Sequence, residues 1–175
     1  GSLSGSTYTT GPVTAGCAVT AYFAEDATGT VSVLPTAGPG GSISPSTTQV
    51  LLSGGTTSFT VTPATGYHIV SVGGCGGTLS GSVFTTGIVG ADCTVAATFA
   101  IDTFTVTPSA GANGSLNPAT AQSVNYNGTT NFLVVPDTGY HLASVTGCNG
   151  SLSGNVYTSG TVTGNCTVTA TFAID

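Results

Sequence analysis

The chain contains two consecutive copies of one unit, and this repeat restricts the possible folds more than any other feature of the sequence. Residues 30–102 align with residues 103–175 without a gap, and roughly forty of the 73 positions are identical. Cys75 and Cys148 stand at the same place in the two copies. Both copies must therefore adopt one fold, and the chain is an array of like modules.

A third, incomplete copy stands at the start of the sequence. Residues 1–26 match only the last third of the unit, so that GSLSGSTYTT corresponds to GSLSGNVYTS at residues 150–159. We expect that the sequence begins inside a module of a longer array, and the alternative is a native start with an edge strand left free or supplied by a neighbour. The predicted organisation is a partial module at residues 1–27 and full modules at 28–102 and 103–175.

The five cysteines predict one disulfide in each full module. Each full copy holds two cysteines at the same spacing, which predicts the bonds Cys75–Cys93 and Cys148–Cys166. Cys17 matches the second cysteine of the pair, so we expect it to be free or bonded outside this chain. A loop of this size stabilises by about 3 kcal/mol when closed by a disulfide. Paired thiols are typical of proteins outside the cytoplasm.

The charge composition excludes several classes of partner. The chain has no Lys and no Arg, and its formal net charge at pH 7 is −6. Without a cationic side chain it has nothing to neutralise phosphates, which argues against nucleic-acid binding and against attraction to anionic membranes. No apolar run approaches the roughly 18 residues of a membrane span, so we expect no membrane insertion in this segment.

Short alternating segments predict an all-β fold. CTVTATF at residues 166–172 and AVTAYF at residues 18–23 alternate apolar and Thr or Ala positions, as half-buried strands do. Gly-rich and Asn-Gly turns separate such segments, and no segment has a convincing helical period. We expect tandem, small, antiparallel β-sandwich-like modules of about 73 residues, each with one disulfide that compensates for a thin core.

The residues that carry chemistry are few. His68 and His141 occupy one repeated position, and a structural or solvent-exposed role is expected for them. Asp26, Asp102 and Asp175 each close a module; they are weak candidates for a Ca²⁺ site, because one or two carboxylates at a junction are too few for a strong site. We predict no catalytic residue, no metal, no cofactor and no enzyme activity, and the binding residues stay unknown.

Two features concern the contacts between modules. Tyr126 has no aromatic counterpart, since Ser53 stands in the other copy, so it is the better candidate for a surface contact. Only Ile101 and Asp102 separate the two full modules, which predicts restricted motion between them. The first junction has three extra residues within 25–29 and is expected to be looser.

The repeated positions resemble the divergent internalin-type B-repeats of bacterial surface proteins. The resemblance is carried by Val106-Thr107-Pro108, Gly114-Ser115, Pro118, Gly128-Thr129, Phe132, Pro136, Gly139-Tyr140 and residues 167–172. It implies secreted, cell-surface or extracellular tandem modules, often stalks or adhesive regions, and it supplies no catalytic residues. Some relatives have a β-grasp-like fold with a short helix, which is the alternative fold.

These observations together favour a structural function. The prediction is a non-catalytic repeat protein of an extracellular filament, fibre or cell-surface stalk, with other copies of itself or neighbouring repeats as partners. The alternative is an adhesin module that binds glycan or another cell surface.

Overall fold

A computed structural model describes residues 1–23 and 29–175, and it contains β-strands and no helix within those ranges. Residues 1–23 contain a short hairpin formed by β1 (Ser2–Ser4) and β2 (Thr7–Thr9). The first full module contains β3 (Thr30–Ala37), β4 (Gly41–Ser44), β5 (Gln49–Leu52), β6 (Ser58–Pro63), β7 (Tyr67–Gly73), β8 (Thr78–Ser80), β9 (Val83–Thr85) and β10 (Cys93–Ile101).

The second full module repeats these elements one for one. Its strands are β11 (Thr103–Ala110), β12 (Gly114–Asn117), β13 (Gln122–Asn125), β14 (Asn131–Pro136), β15 (Tyr140–Thr146), β16 (Ser151–Ser153), β17 (Val156–Thr158) and β18 (Cys166–Ile174). The near-identical turns and alternating segments of the two copies explain why their strands begin and end at equivalent residues.

Each module consists of two four-stranded sheets. The front sheet has the order β5-β3-β10-β7 in the first module and β13-β11-β18-β15 in the second; the back sheet has the order β4-β6-β9-β8 and β12-β14-β17-β16. All strand pairs are antiparallel except one in each front sheet, where β3 pairs with β10, and β11 with β18, in parallel. The parallel pair arises because the module's first and last strands lie side by side.

The core of each module lies between its two sheets. In the first module Val33 and Val95 of the front sheet are fully buried together with Phe59, Val61 and Phe84 of the back sheet. The second module buries the equivalent set Val106, Val168, Phe132, Val134 and Tyr157. Side chains that alternate along a strand point to opposite faces, so the Thr positions of the same strands remain exposed. The structure is a β-sandwich of the expected kind, with no helix of a β-grasp among the described residues.

Both predicted disulfides are present. Cys75 bonds Cys93, and Cys148 bonds Cys166. Each bond ties the loop after the edge strand of the front sheet, β7 or β15, to the first residue of the module's last strand. The covalent link therefore closes the sandwich where its final strand enters the front sheet.

One strand prediction is wrong. The segment at residues 18–23 alternates like β18, but it forms no strand. No described strand pairs with it, and a segment without a paired neighbour has no ladder partners for its backbone N–H and C=O groups. Tyr22 and Phe23 are consequently exposed, although the equivalent Phe172 packs against the core of its module.

Among the described residues, no helix is present that is long and apolar enough to cross a membrane.

Candidate functional site

The joint between the two full modules is a single residue. β10 ends at Ile101 and β11 begins at Thr103, so Asp102 alone connects them, and Ile101 belongs to the strand. The Asp102 amide donates to the carbonyl oxygen of Gly66 in the first module at 2.8 Å. The Asp102 carbonyl oxygen accepts from the Tyr126 amide in the second module, also at 2.8 Å. The connecting residue is therefore hydrogen-bonded to both modules.

The Tyr126 side chain adds a contact between the modules. Its ring lies against Gly66, and a Cβ built on that glycine would overlap the ring. Gly66 has a φ of 78°, a left-handed conformation that favours glycine. The ring also meets Phe104 of its own module, with centroids 6.4 Å apart and planes inclined by 54°. The residue singled out in the sequence as a surface contact thus packs on the neighbouring module.

A histidine meets the aspartate at the end of each module. His68 Nδ1 lies 2.7 Å from Asp102 Oδ1, and His141 Nδ1 lies 3.0 Å from Asp175 Oδ1. The side chain of Asp102 at the joint is 34% exposed, against 62% for Asp175. Each pair links the edge strand of the front sheet to the residue that follows the module's last strand, so it holds the end of the module closed.

The histidine pairs carry no further catalytic group. A His–Asp pair can orient a base toward a nucleophile. Within residues 1–23 and 29–175, however, no hydroxyl or thiol is hydrogen-bonded to either imidazole. Both histidines are exposed on strand ends instead of being enclosed in a cavity.

The junction aspartates are also poorly arranged for a metal ion. Asp102 and Asp175 each have one histidine beside them, and the described part of the chain has no group of three or more His, Cys, Asp or Glu side chains. Asp26, the third candidate, lies outside the described residues, as does most of the segment for which a looser first joint is expected.

Asp92 and its counterpart Asn165 make equivalent contacts in the two modules. The Oδ1 atom of Asp92 accepts from the Ser32 amide at 2.7 Å, and Asn165, its counterpart, accepts from the Thr105 amide at 2.8 Å. Both side chains therefore satisfy the backbone beside the first strand of their module. Cys17 is exposed and is the one cysteine of the described residues without a disulfide.

The far end of the second module offers a comparison with the joint. Gly139 has a φ of 82°, and its carbonyl oxygen accepts from the Asp175 amide at 3.0 Å, as Gly66 accepts from Asp102. No atom lies within 4 Å of a Cβ built on Gly139. The same glycine turn thus occurs in both modules, with an aromatic ring packed against Gly66 and with open space beside Gly139.

Sequence reasoning did not identify the His–Asp pairs. The available signal was their constant spacing, since 34 residues separate the partners in both copies. That spacing alone does not indicate a contact, because the partners meet only through the register of β7 against β10 and of β15 against β18.

The repeated sandwich and its hydrogen-bonded joint define a tandem-repeat β protein. Residues 29–103 and 104–175 each match the divergent InlB B-repeat domain. The chain therefore belongs to the divergent InlB B-repeat family, as the resemblance indicated. This is a non-catalytic type of repeat domain that typically occurs in bacterial surface or extracellular proteins, and membership indicates a surface-associated repeat protein. Comparison with curated proteins and with solved structures gave no match.

Proposed function

We propose that the chain is a non-catalytic spacer in an extracellular stalk or filament, in which stapled modules are held in line by stiff joints. The observation that carries the proposal is the joint at Asp102. One residue connects the modules, it is hydrogen-bonded on both sides, and Tyr126 packs across it on Gly66. A connection with so little free backbone transmits force and keeps the modules at a fixed angle.

The location outside the cytoplasm is part of this proposal. Two disulfides in 175 residues support an oxidising compartment, because thiols stay reduced in the cytosol. The family occurs typically in surface or extracellular proteins of bacteria. The proposed absence of enzyme activity has its support in the exposed His–Asp pairs, which have the same geometry in both modules as duplicated structural contacts would.

Residual dipolar couplings of the full chain test the stiffness of the joint. In dilute solution we expect both modules of the wild type to fit one common alignment tensor. The variant Tyr126→Ser, which introduces the residue found at position 53, should give two different tensors, because the contact with Gly66 is lost.

Tyr22→Ser is the matched control for this experiment. It makes the same chemical change at an exposed residue outside both full modules, and the common tensor should persist. Independent tensors in the wild type would contradict the proposed spacer function.

A second candidate function is adhesion, and one surface favours it. The outer face of the second module's front sheet presents rows of exposed hydroxyl groups without a charged side chain among them: Thr103, Thr105, Thr107, Thr167, Thr169 and Thr171. Such a face suits a neutral, hydroxyl-rich glycan. Saturable binding in a screen of immobilised neutral glycans tests it.

A further inference from the structure

The edge of the first module's front sheet carries an apolar surface that the second module lacks. Val50 and Leu52 on β5 are 65% and 63% exposed. Leu34 and Ile88 are exposed near the same edge. The equivalent residues of the second module are all polar: Ser123, Asn125, Thr107 and Thr161. Two modules with one fold thus differ at this edge, so the fold itself does not require the apolar residues.

The register of β3 against β5 places Leu34 near Val50. Val50 lies opposite Ser32 on β3, and Leu34 is two residues further along the same face. Diagonal neighbours of this kind are about 7–8 Å apart, within reach of long side chains. Ile88 lies beyond the Leu52 end of β5, where its neighbour Val89 is bridged to Gly55. We call Leu34, Val50, Leu52 and Ile88 the β5 patch.

The strand that carries the patch is also the least protected edge of its module. Edge strands usually avoid pairing with other chains by means of bulges, prolines, charges or short length. β7 has a bulge opposite Thr98 and Phe99, β4 is followed by Pro45, and β8 has three residues. β5 is also short, with four residues, but it has an uninterrupted register with β3 and neither charge nor proline.

We propose that β5 is a self-association site at which two copies of this chain pair edge to edge. Antiparallel pairing about a two-fold axis satisfies the free backbone groups of both strands and brings the two β5 patches side by side on one face. This proposal rests on the proposed structural function and names the surface through which such a protein assembles laterally.

The absence of charge at this edge allows a second copy to be the occupant although the copies carry the same net charge. The chain has no cationic side chain, so copies of it have no opposite charges with which to attract one another and meet most easily at an uncharged surface. The β5 patch contains no carboxylate. Asp92 reaches β3 from the β10 side, where its Oδ1 atom is bound to the Ser32 amide. A cationic partner would bind near the carboxylates of the chain, and the β5 patch has no carboxylate to bind it.

The size of the patch indicates the strength of the association. Stable interfaces bury about 800 Å² on each partner, whereas four partly exposed side chains offer an apolar patch of the order of 300 Å². The pair is therefore expected to be weak and reversible, with dissociation constants in the range of micromolar to millimolar.

Sedimentation equilibrium of the full chain tests the proposal, with Cys17→Ser in every sample to exclude disulfide-linked dimers. The weight-average mass should rise with concentration from 16.8 kDa toward twice that value. The double variant Val50→Ser with Leu52→Asn transfers the second module's residues to β5. It should weaken association at least about tenfold and keep both native disulfides, because the second module folds with these residues.

The control pair is Leu133→Thr with Val135→Thr, which transfers residues of the first module to β14. These side chains are 41% and 40% exposed, but β14 lies inside the back sheet and its edges are paired. The control should associate like the wild type. A monomeric wild type at millimolar concentration would overturn the proposal, as would association that persists in the β5 variant, which would assign it to the apolar residues of 1–23. Neither result changes the joint, which is measured separately in dilute solution.

Discussion

Glycine at position 66 combines two constraints that can be measured separately. Its positive φ is one, and the Tyr126 ring against its Cα is the other. Gly139 shares the first constraint without the second, because the space beside it is open. The repeat thus contains its own reference position for the joint.

Gly66→Ala and Gly139→Ala should therefore differ. Both variants should lose about 1 kcal/mol of unfolding free energy through left-handed strain, as measured by chemical denaturation. Gly66→Ala should in addition displace the Tyr126 ring, since the new methyl group occupies its place, and the NMR shifts of that ring report the displacement. Unchanged Tyr126 shifts in Gly66→Ala would contradict the packing across the joint.

Single residues also show which side-chain contacts could be predicted from the sequence and which could not. Comparison of the two copies showed that Tyr126 has no aromatic counterpart, and in the structure its ring contacts Gly66. The equally regular pair His68 and Asp102 escaped notice, because duplicated positions report a common fold without reporting which residues touch. Only strand register brings those two side chains within hydrogen-bonding distance.

At the scale of elements, the alternation of apolar and polar residues predicted which side chains of a strand face the core. It did not predict which strands lie next to each other. The pattern of β18 correctly indicated that Val168 and Ala170 point inward. It contained no information on the parallel pairing with β11, which depends on the path of the whole module. The failed strand at residues 18–23 has the same cause, since its pattern is right and no described strand pairs with it.

The disulfide is the element-scale feature with the largest expected effect on stability. Cys148→Ser with Cys166→Ser should lower the unfolding free energy of the second module by about 3 kcal/mol, because the reduced chain regains loop entropy. Hydrogen exchange resolved by module measures this loss at β18 while β10 keeps its protection. Cys17→Ser replaces an unpaired cysteine and should leave both modules unchanged; an equal loss there would contradict the assigned role of the disulfide.

At the scale of the whole molecule, the absence of Lys and Arg side chains determines the electrostatic interaction between two copies. Six carboxylates without a positive side chain make every approach of two copies repulsive at long range. Short-range contact at the uncharged β5 edge opposes this repulsion. The balance between the two depends on salt, because screening acts on charges and leaves apolar contact in place.

Association through β5 should consequently strengthen as salt is added. Between 0.01 M and 1 M ionic strength the screening length falls from about 30 Å to about 3 Å, which removes most of the repulsion between copies. Sedimentation equilibrium should then give an association constant several-fold larger at high salt for the wild type, while Val50→Ser with Leu52→Asn remains largely monomeric at both extremes. Weaker association at high salt would instead indicate attraction between charges of the two copies, and it would exclude the apolar edge as the contact.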